Sequence, residues 1–328
     1  MTKDIKRIAV FTSGGDAPGM NAALRAVVRT ASFNDLHVYG IKGGYEGMVD
    51  GNLSRLEVRD VGNIIHRGGT ILKTARSERF RTPEGRKSAY EALLAFDIDA
   101  CIGIGGDGTF TGANIFSQEF PDIPLIGVPG TIDNDLYGTD YTIGFDTAVN
   151  TAIDAADKIR DTADSHNRLF FVEVMGRHSG FIALNTGIGS GAASVLIPEI
   201  ETTLEGLVET LRKGAKRKKL FSLVIVAEGN RYGGAAEIAK RVQDSFDYYD
   251  TKVAIIGHLQ RGGSPTAMDR VLASRLGFGA VEGLIKGEKN VMVGLVNNKI
   301  KYTPFEVAIG KTKIPDKDLI RMAEILAI

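Results

Sequence analysis

The sequence is short of cysteine, of net charge and of long hydrophobic runs, and each shortage excludes a class of function. Cys101 is the only cysteine, which excludes an internal disulfide and a cysteine-based metal cluster. Lysine plus arginine and aspartate plus glutamate both number 40, so any anion site must be local. No stretch approaches the roughly 18 consecutive apolar residues that a membrane span requires. We therefore expect neither a nucleic-acid partner nor a membrane partner.

Proline is also scarce, with nine residues against 40 glycines. This composition indicates many tight turns and close approaches of the backbone. Residues 1–7 lack the hydrophobic region of a signal peptide, so we expect a cytoplasmic protein. A length of 328 residues is too great for one ordinary core and predicts two domains.

The first recognisable pattern is a β-rich run at residues 7–12, a turn with Gly14 and Gly15, and a helical pattern. Adjacent glycines allow a phosphate to approach the backbone, and the following helix N-terminus offers free N–H groups. The turn matches neither GxGxxG nor GxxxxGK[ST], so a plain tight turn is equally consistent. Arg25 and Arg29 share one face of the helix, which is either solvated or part of an anion site.

A basic segment at residues 73–81 follows a second glycine-rich strand exit at residues 42–47. Flexible arginines beside the ends of strands suit a polyphosphate. A charged surface loop has the same composition, and it remains the alternative.

A third β-rich run at residues 100–104 leads into Gly105-Gly106-Asp107-Gly108-Thr109 and a helical pattern from residue 110 to 116. One carboxylate between glycines offers a hard oxygen ligand surrounded by open backbone, which suits the magnesium ion of a bound nucleotide. The alternative role for Asp107 is a helix cap.

The fourth strand exit is Pro129-Gly130-Thr131-Ile132-Asp133-Asn134-Asp135, after an apolar run at residues 124–128. In an open parallel sheet ligands bind beyond the carboxyl ends of the strands, so Asp133 and Asp135 would lie at a ligand site. A polar turn is the alternative. With the glycine turn and Asp107, three strand ends bring glycine, acid and hydroxyl groups to one sheet edge. This combination predicts phosphoryl transfer, which needs a phosphate cradle, a metal ligand, cations and a base.

The second half of the chain repeats the pattern of a strand followed by a functional loop. An amphipathic helix predicted from residue 146 to 161 leads into it. His258 suits a general acid, but since Arg261 is close in sequence we favour an anion site. The charged run at residues 212–219 is expected to be a solvated helix end.

Five motifs in this order resemble those of the bacterial-type 6-phosphofructokinases, and the resemblance covers nearly the whole chain. It implies two Rossmann-like doubly wound three-layer α/β domains with the active site in the cleft between them. ATP is expected at residues 1–145 plus 259–310, and the sugar phosphate at residues 146–258 plus 311–328. The motifs are Thr12-Ser13-Gly14-Gly15-Asp16-Ala17-Pro18-Gly19-Met20-Asn21, Gly105-Gly106-Asp107-Gly108-Thr109, Pro129 to Asp135, Met175-Gly176-Arg177 and Gly257-His258-Leu259-Gln260-Arg261-Gly262-Gly263-Ser264-Pro265.

The resemblance implies transfer of the γ-phosphate of ATP to the 1-hydroxyl of fructose 6-phosphate, with Mg²⁺ as cofactor. Asp133 matches the catalytic base, Thr131 and Asp135 match orienting residues, and Arg76 and Arg177 match cations near the transferring phosphoryl group. The matching ATP positions are Gly15, Tyr45, Arg76, Ser77, Gly106, Asp107, Gly108 and Thr109, with Asp107 also the metal ligand. The matching sugar-phosphate positions are Thr131, Ile132, Asp133, Arg168, Met175, Gly176, Arg177, Glu228, Lys252, His258, Leu259, Gln260 and Arg261. Arg168 is expected to come from the neighbouring subunit of a homotetramer.

The phosphoryl donor is indicated by two glycines. Family members that use pyrophosphate have motifs that resemble Gly-Gly-Asp-Asp and Pro-Lys-Thr-Ile-Asp-Asn-Asp. Where those motifs have the second aspartate and the lysine, this chain has Gly108 and Gly130. An aspartate at residue 108 would repel the α-phosphate of ATP, so the two glycines favour ATP. A pyrophosphate-dependent enzyme and a catalytically idle regulatory subunit are the alternatives, but an idle subunit would be free to lose Asp107, Asp133 or Arg177.

The chain also departs from the family pattern. Lys252 replaces an arginine, which predicts weaker or salt-sensitive binding of the sugar phosphate. Ser77 replaces a common aromatic residue, so adenine stacking there is not expected.

Val58 and Ala193 replace an arginine and an acid of the family's effector site. We expect reduced or absent activation by ADP, with ADP or phosphoenolpyruvate as the candidate effectors. The matching effector-site residues are Arg25, Arg29, Arg59 (adjacent to Val58), Arg160 and Lys218 or Lys219.

Overall fold

A computed structural model of the chain describes residues 5–164, 168–217 and 222–327. By their internal contacts the residues form two units. Unit 1 consists of Met1–Thr131, Leu136–Asp146 and Arg261–Thr312, and unit 2 of Ile132–Asp135, Thr147–Gln260 and Lys313–Ile328. Each unit has a sheet with helices packed on it, which confirms the prediction of two α/β domains.

The strands form one sheet in each unit. In chain order they are β1 Arg7–Thr12, β2 His37–Ile41, β3 Leu53–Leu56, β4 Ala100–Gly105, β5 Leu125–Pro129, β6 Arg168–Val174, β7 Ser194–Leu196, β8 Ser222–Ala227, β9 Asp250–Ile255, β10 Val291–Val296 and β11 Lys299–Pro304. The sheet of unit 1 has the order β11-β10-β5-β4-β1-β2-β3, and that of unit 2 the order β7-β8-β6-β9. Among the described strands, the pairs β2–β3 and β10–β11 of unit 1 are antiparallel and the other pairs of both sheets are parallel.

The helices are α1 Met20–Phe33, α2 Gly44–Val49, α3 Pro83–Ala95, α4 Asp107–Glu119, α5 Phe145–Asp164, α6 Phe181–Ser190, α7 Leu204–Lys216, α8 Ala235–Gln243, α9 Ala267–Ile285, α10 Phe305–Gly310 and α11 Lys317–Leu326. Two 3-10 helices lie at Arg79–Arg81 and Gly257–Arg261. In the part of the chain that the structure describes, no helix is both long enough and apolar enough to cross a bilayer.

Helices cover both faces of the unit 1 sheet. Side chains of α2, α3, α4 and α10 form one core with Ala9 and Phe11 of β1. Helices α1 and α9 pack against each other outside that core. This arrangement leaves the carboxyl ends of β1, β4 and β5, which are neighbouring parallel strands, at one edge of the sheet. The strand exits at Gly14-Gly15, Asp107 and Gly130-Thr131 therefore lie at this edge. Asp133, the third member of the set predicted to converge, belongs to unit 2.

The sheet of unit 2 is smaller and follows the same plan. One core of this unit consists of side chains from β6, β7 and β8 with those of α7 and α8. Helix α6 packs against β7 and β8, and α11 packs against α6. Strand β9 forms one edge of the sheet, and most of its residues are exposed.

Two local predictions differ from the structure. The helix predicted from residue 110 to 116 begins earlier, so Asp107 is its first residue and Gly106 its N-cap. The glycine-rich exit at residues 42–47 is not a loop throughout, because α2 begins at Gly44. Each helix has a glycine as its N-cap, and glycine's weak helix propensity conceals the boundary in the sequence.

Candidate active site

The turn after β1 is built by close backbone approach. Gly14 has φ +79°, a left-handed conformation that glycine adopts without strain. The guanidinium of Arg261 lies over Gly15, where a Cβ atom would meet Nη1. Arg261 Nη1 also donates to the carbonyl of Asp16 at 3.2 Å. Arg261, which sequence matching assigns to the sugar phosphate, thus adds positive charge directly beside the predicted nucleotide turn.

The exit from β4 presents an exposed carboxylate at a helix N-terminus. Asp107 is exposed, and a Cβ atom at Gly108 would have nothing within 4 Å. A side chain at Gly106 would crowd Thr131, whose Cβ would lie at 3.3 Å. The site therefore has open backbone N–H groups, a helix N-terminus and one hard oxygen ligand.

These groups fit a magnesium ion that arrives with a nucleotide. Among the described residues, no three His, Cys, Asp or Glu side chains come together as a metal cage. Magnesium commonly binds one or two carboxylates and takes its other ligands from phosphate and water. Asp107 is the residue that would hold it.

Tyr45, a predicted nucleotide-binding residue, lies in the core. It is 6% exposed, and its ring stacks on Phe80 with centroids 3.9 Å apart. The hydroxyl donates to the carbonyl of Thr109 at 2.6 Å, and burial raises the pKa of Tyr45 well above its usual value. We infer that the hydrogen bond from Tyr45 to Thr109 stabilises the first turn of α4.

The exit from β5 is packed tightly at its first residues. The N–H of Gly130 donates to the carbonyl of Gly105 at 2.9 Å, and a Cβ atom at Gly130 would lie 3.1 Å from both Ile104 Cγ2 and Met20 Cε. The carbonyl of Thr131 accepts a hydrogen bond from Thr142 Oγ1 at 2.6 Å. These contacts hold the main chain where it leaves the sheet of unit 1.

Ile132 to Asp135 pack with unit 2, where a buried carboxylate meets an arginine. Asp133 is 3% exposed, and its Oδ2 lies 3.6 Å from Nε of Arg177. Ser179 Oγ donates to the carbonyl of Asp133 at 2.9 Å. A carboxylate held in this way is positioned to accept a proton, and the more exposed guanidinium is available to an anion.

The Arg177 loop adopts a conformation that few residues tolerate. Arg177 has φ +53°, in the left-handed region, which is unfavourable for a residue with a side chain. The carboxylate of Glu228 accepts hydrogen bonds from the N–H groups of Gly176 and Arg177, at 3.2 and 2.8 Å. A Cβ atom at Gly229 would collide with the carbonyl of Arg177. The sequence motifs match Glu228 to the substrate alone, and no local pattern indicates that it holds this loop.

Ile132 and Gln260, both matched to sugar-phosphate positions, are fully buried. The side-chain amide of Gln260 accepts from the N–H of Met175 at 2.8 Å and donates to the carbonyl of Ala148 at 3.3 Å. We therefore assign these two side chains a supporting role. His258 and Leu259, in contrast, are exposed.

The chain matches the model of one known protein family. The phosphofructokinase family model matches residues 7–284. The chain belongs to the phosphofructokinase family.

Curated relatives match this family member over almost its entire length. ATP-dependent 6-phosphofructokinase 2 of Bacteroides thetaiotaomicron is 55% identical, and the match covers 99% of each chain. ATP-dependent 6-phosphofructokinase 1 of Thermus thermophilus is 54% identical, over 99% of this chain and all of the relative.

Solved structures of other phosphofructokinases share the fold. Phosphofructokinase of Pichia pastoris in the T-state has a TM-score of 0.91 and 35% identity; the match covers 99% of this chain but only 39% of that one. Pyrophosphate-dependent phosphofructokinase of Marinobacter aquaeolei has a TM-score of 0.85 and 26% identity, over 98% of this chain and 92% of that one. Since a protein named as pyrophosphate-dependent has this fold and the curated relatives are named as ATP-dependent, the donor must be argued from individual residues.

Two cations matched to the sugar phosphate lie away from the other candidate residues of unit 2. Arg168 opens β6, whereas Met175 follows the end of the same strand. Six residues at roughly 3.3 Å each separate Arg168 from Val174 by about 20 Å. Arg168 Nε and Lys252 Nζ both contact Asp250, at 3.4 and 2.7 Å. The Lys252 hydrogen bond is the main cause that lowers the pKa of Asp250.

The residues matched to the phosphofructokinase effector site are distributed over both units. Arg25 and Arg29 lie one turn apart on α1, and burial, followed by repulsion from Arg29, lowers the pKa of Arg25. Arg59 Nε contacts Glu57 at 3.2 Å, and Arg160 lies close to Gly191. Lys218 and Lys219 fall outside the described residues.

Proposed function

We propose that the chain transfers the γ-phosphoryl group of ATP to the 1-hydroxyl of fructose 6-phosphate, giving fructose 1,6-bisphosphate and ADP. The observation that carries this proposal is the buried carboxylate of Asp133 beside the guanidinium of Arg177. The family membership and the names of the full-length relatives support it. Since these substrates belong to glycolysis, the cytoplasm is the compartment that we propose.

The proposed chemistry follows from the groups of the site. Asp133 accepts the proton of the 1-hydroxyl, whose oxygen forms a bond to the γ-phosphorus while the bond to the leaving ADP oxygen breaks. Thr131 and Asp135 orient the reacting groups. Arg76 and Arg177 stabilise the negative charge that spreads over the phosphoryl oxygens, and they need little reorganisation during the reaction.

We propose that unit 1 binds the nucleotide. The turn at Gly14 and Gly15 and the N-terminus of α4 offer backbone N–H groups to the phosphates. Asp107 is the proposed ligand of Mg²⁺, which neutralises phosphate charge when bound. The proposed positions of contact also include Ser77, Gly106, Gly108 and Thr109.

Unit 2 is the proposed binding region for most of the sugar phosphate. Glu228 and the loop at Met175 and Gly176 follow the ends of β8 and β6, and the exposed His258 follows β9. These strands are neighbours in one parallel sheet, so their ends offer donors and acceptors along one edge. Arg261 is the further cation that we assign to the phosphate groups.

ATP is the donor that the local space favours. Gly108 leaves open space beside the helix N-terminus, as a nucleotide larger than pyrophosphate requires. At Gly130 the space is limited, because even a Cβ atom would press on Ile104 and Met20. A lysine at residue 130 would require both side chains to move.

The donor is tested by measuring phosphorylation of fructose 6-phosphate with ATP and with pyrophosphate in parallel. We expect turnover with Mg-ATP at a rate within the usual enzyme range, about 1 to 10³ per second, and little turnover with pyrophosphate. Equal or faster turnover with pyrophosphate would make the chain a pyrophosphate-dependent enzyme. Inactivity with both donors would favour an idle regulatory subunit.

A homotetramer is the proposed assembly. Arg168 lies about 20 Å along β6 from the loop that follows the strand, too far to share one small sugar phosphate with Met175 of the same chain. A neighbouring subunit would bring Arg168 and Lys252 to that ligand, and closed symmetric assemblies are common. The exposed edge strand β9 carries Lys252 and would lie near such an interface.

We propose an effector site with little response to ADP. A cavity of about 480 Å³ in unit 2 is lined in part by Ala193, Lys213 and Arg217, with Glu324 as its carboxylate. Cations suit a phosphate-bearing effector, but Ala193 offers no ligand for the magnesium of Mg-ADP. The other candidate cations are Arg25, Arg29, Arg59 and Arg160, together with Lys218 and Lys219, which fall outside the described residues.

Titration of ADP against the saturation curve of fructose 6-phosphate tests this proposal. We expect ADP to shift the half-saturation concentration of fructose 6-phosphate by less than about fivefold, which is the lower end of ordinary allosteric coupling. Phosphoenolpyruvate, which needs no metal ion, is titrated in parallel. A large activation by ADP would show that Ala193 does not weaken the site.

A further inference from the structure

Arg76, one of the proposed catalytic cations, lies in a segment that has no regular secondary structure. The segment joins β3 to the 3-10 helix at Arg79–Arg81. Arg76 itself is exposed, and it has no ion pair with any residue that the structure describes. Its position must therefore come from the main chain on either side.

Upstream of Arg76 the segment is tied to buried side chains at the end of β1 and the start of α1. Thr12 Oγ1 donates to the carbonyl of Lys73 at 3.0 Å. The amide of Asn21, 1% exposed, donates to the carbonyl of Arg67 at 3.1 Å and accepts from the N–H of Ile71 at 2.9 Å. The main chain is thus anchored up to three residues before Arg76.

Downstream the anchor is a carboxylate of α2. Ser77 Oγ donates to Glu46 Oε2 at 2.5 Å, and Arg79 Nε donates to Glu46 Oε1 at 2.7 Å. Ser77 Oγ also accepts a hydrogen bond from the N–H of Phe80 at 3.0 Å. Both oxygens of Glu46 are therefore engaged, and one of them holds the residue that directly follows Arg76.

We propose that Glu46 is a positioning residue for phosphoryl transfer: through Ser77 it fixes the main chain beside Arg76 and sets where that guanidinium meets the transferring phosphate. The inference rests on the proposed function. Only Thr74, Ala75 and Arg76 itself lie between the anchored residues Lys73 and Ser77, so release of the downstream anchor frees the arginine. Misplacement of a charged group by about 1 Å can reduce a rate by 10².

The ionised state of Glu46 suits this role. The pKa of Glu46 is lowered, first by the hydrogen bond from Ser77 and next by that from Arg79. The carboxylate therefore stays charged at neutral pH and accepts both bonds. A glutamine keeps the size of the side chain but not its charge. Its oxygen can accept from Arg79 while its NH2 group donates to Ser77 Oγ, so both contacts become weaker, neutral hydrogen bonds.

Asp50 provides a matched control. Its carboxylate contacts Arg79 Nη2 at 2.5 Å but makes no contact with Ser77 among the described residues. Asp50→Asn therefore weakens the same arginine cluster and leaves the Glu46–Ser77 hydrogen bond intact. It separates a general loss of charge pairing from the loss of the anchor.

The test compares Glu46→Ala, Glu46→Gln, Ser77→Ala, the double variant Glu46→Ala/Ser77→Ala and Asp50→Asn. We expect Glu46→Ala and Ser77→Ala each to lower kcat about tenfold with little change in KM for fructose 6-phosphate. We expect an intermediate loss for Glu46→Gln and no further loss for the double variant, since both single changes break one contact. Asp50→Asn is expected to keep the wild-type kcat.

A second readout does not depend on activity. Trypsin cleavage after Arg76, followed by mass spectrometry, is expected to accelerate in Glu46→Ala and Ser77→Ala but not in Asp50→Asn, because the freed segment enters the protease more readily. Unchanged cleavage in the two anchor variants overturns the proposal even if the wild-type protein phosphorylates a different substrate. Two further results would overturn the proposal. One is a double variant in which the kcat losses of Glu46→Ala and Ser77→Ala multiply, and the other is an Asp50→Asn variant whose kcat is as low as that of Glu46→Ala.

Discussion

Replacement of Asp133 by asparagine or serine is expected to lower kcat by about 10² to 10⁴, the usual contribution of a positioned general base. The asparagine side chain has nearly the same shape, but it cannot take the proton of the sugar hydroxyl. KM for both substrates should change much less, because removal of a group that acts in the transition state lowers kcat and kcat/KM together. Steady-state kinetics with ATP and fructose 6-phosphate measure both quantities.

The fold should survive this substitution. Ser179 donates to the main-chain carbonyl of Asp133, a contact that does not need the carboxylate. The guanidinium of Arg177 is 60% exposed, so water can solvate it when its partner is gone. A thermal melt of each variant checks the fold. Asp122→Asn serves as a control, because among the described residues this carboxylate is bound only by the Tyr90 hydroxyl. An Asp133→Asn variant with near wild-type kcat would exclude Asp133 as the base.

Gly108→Asp is expected to impair the use of ATP severely. Two unit charges at about 4 Å repel each other by roughly 1 kcal/mol in water and 4 kcal/mol near a protein surface. The expected fall in kcat/KM for ATP is therefore about 5- to 1000-fold. Because a Cβ atom at Gly108 meets nothing within 4 Å, we expect the loss to come from charge and side-chain bulk near the phosphates, not from damage to the fold.

Two matched variants separate these causes. Gly108→Ala adds only a methyl group in open space and is expected to keep the wild-type kinetics, while alanine favours the helix more than glycine does. Gly108→Asn has nearly the size of aspartate without the charge, so the difference between Asn and Asp measures repulsion. The proposal fails if the aspartate variant uses ATP normally, or if the alanine variant loses as much activity as the aspartate variant.

Gly130 is a poorer position for the same question. A Cβ atom there would lie 3.1 Å from Ile104 Cγ2 and Met20 Cε, closer than most side-chain contacts. Any substitution would displace core side chains beside the glycine turn. Its effect on the donor would thus be mixed with an effect on packing.

Sequence patterns alone predicted a large part of this protein. Glycine, acid and hydroxyl groups after β-rich runs predicted phosphate chemistry, because the carboxyl ends of parallel strands share one edge of a sheet. The observed neighbours β5, β4 and β1 agree with that expectation. The order of five motifs along the chain resembled the family that the comparisons then confirmed.

The sequence by itself determined the family, the two α/β units and the chemical types of the candidate groups, because these depend on local patterns and on motif order. Only the tertiary structure decided that Tyr45 lies in the core, that Glu228 holds the Arg177 loop, that Arg261 covers Gly15 and that Glu46 anchors Ser77. The contacts of these four residues join segments distant in sequence, such as residues 15 and 261. No local pattern encodes such a contact, since the packing of the whole unit brings its partners together.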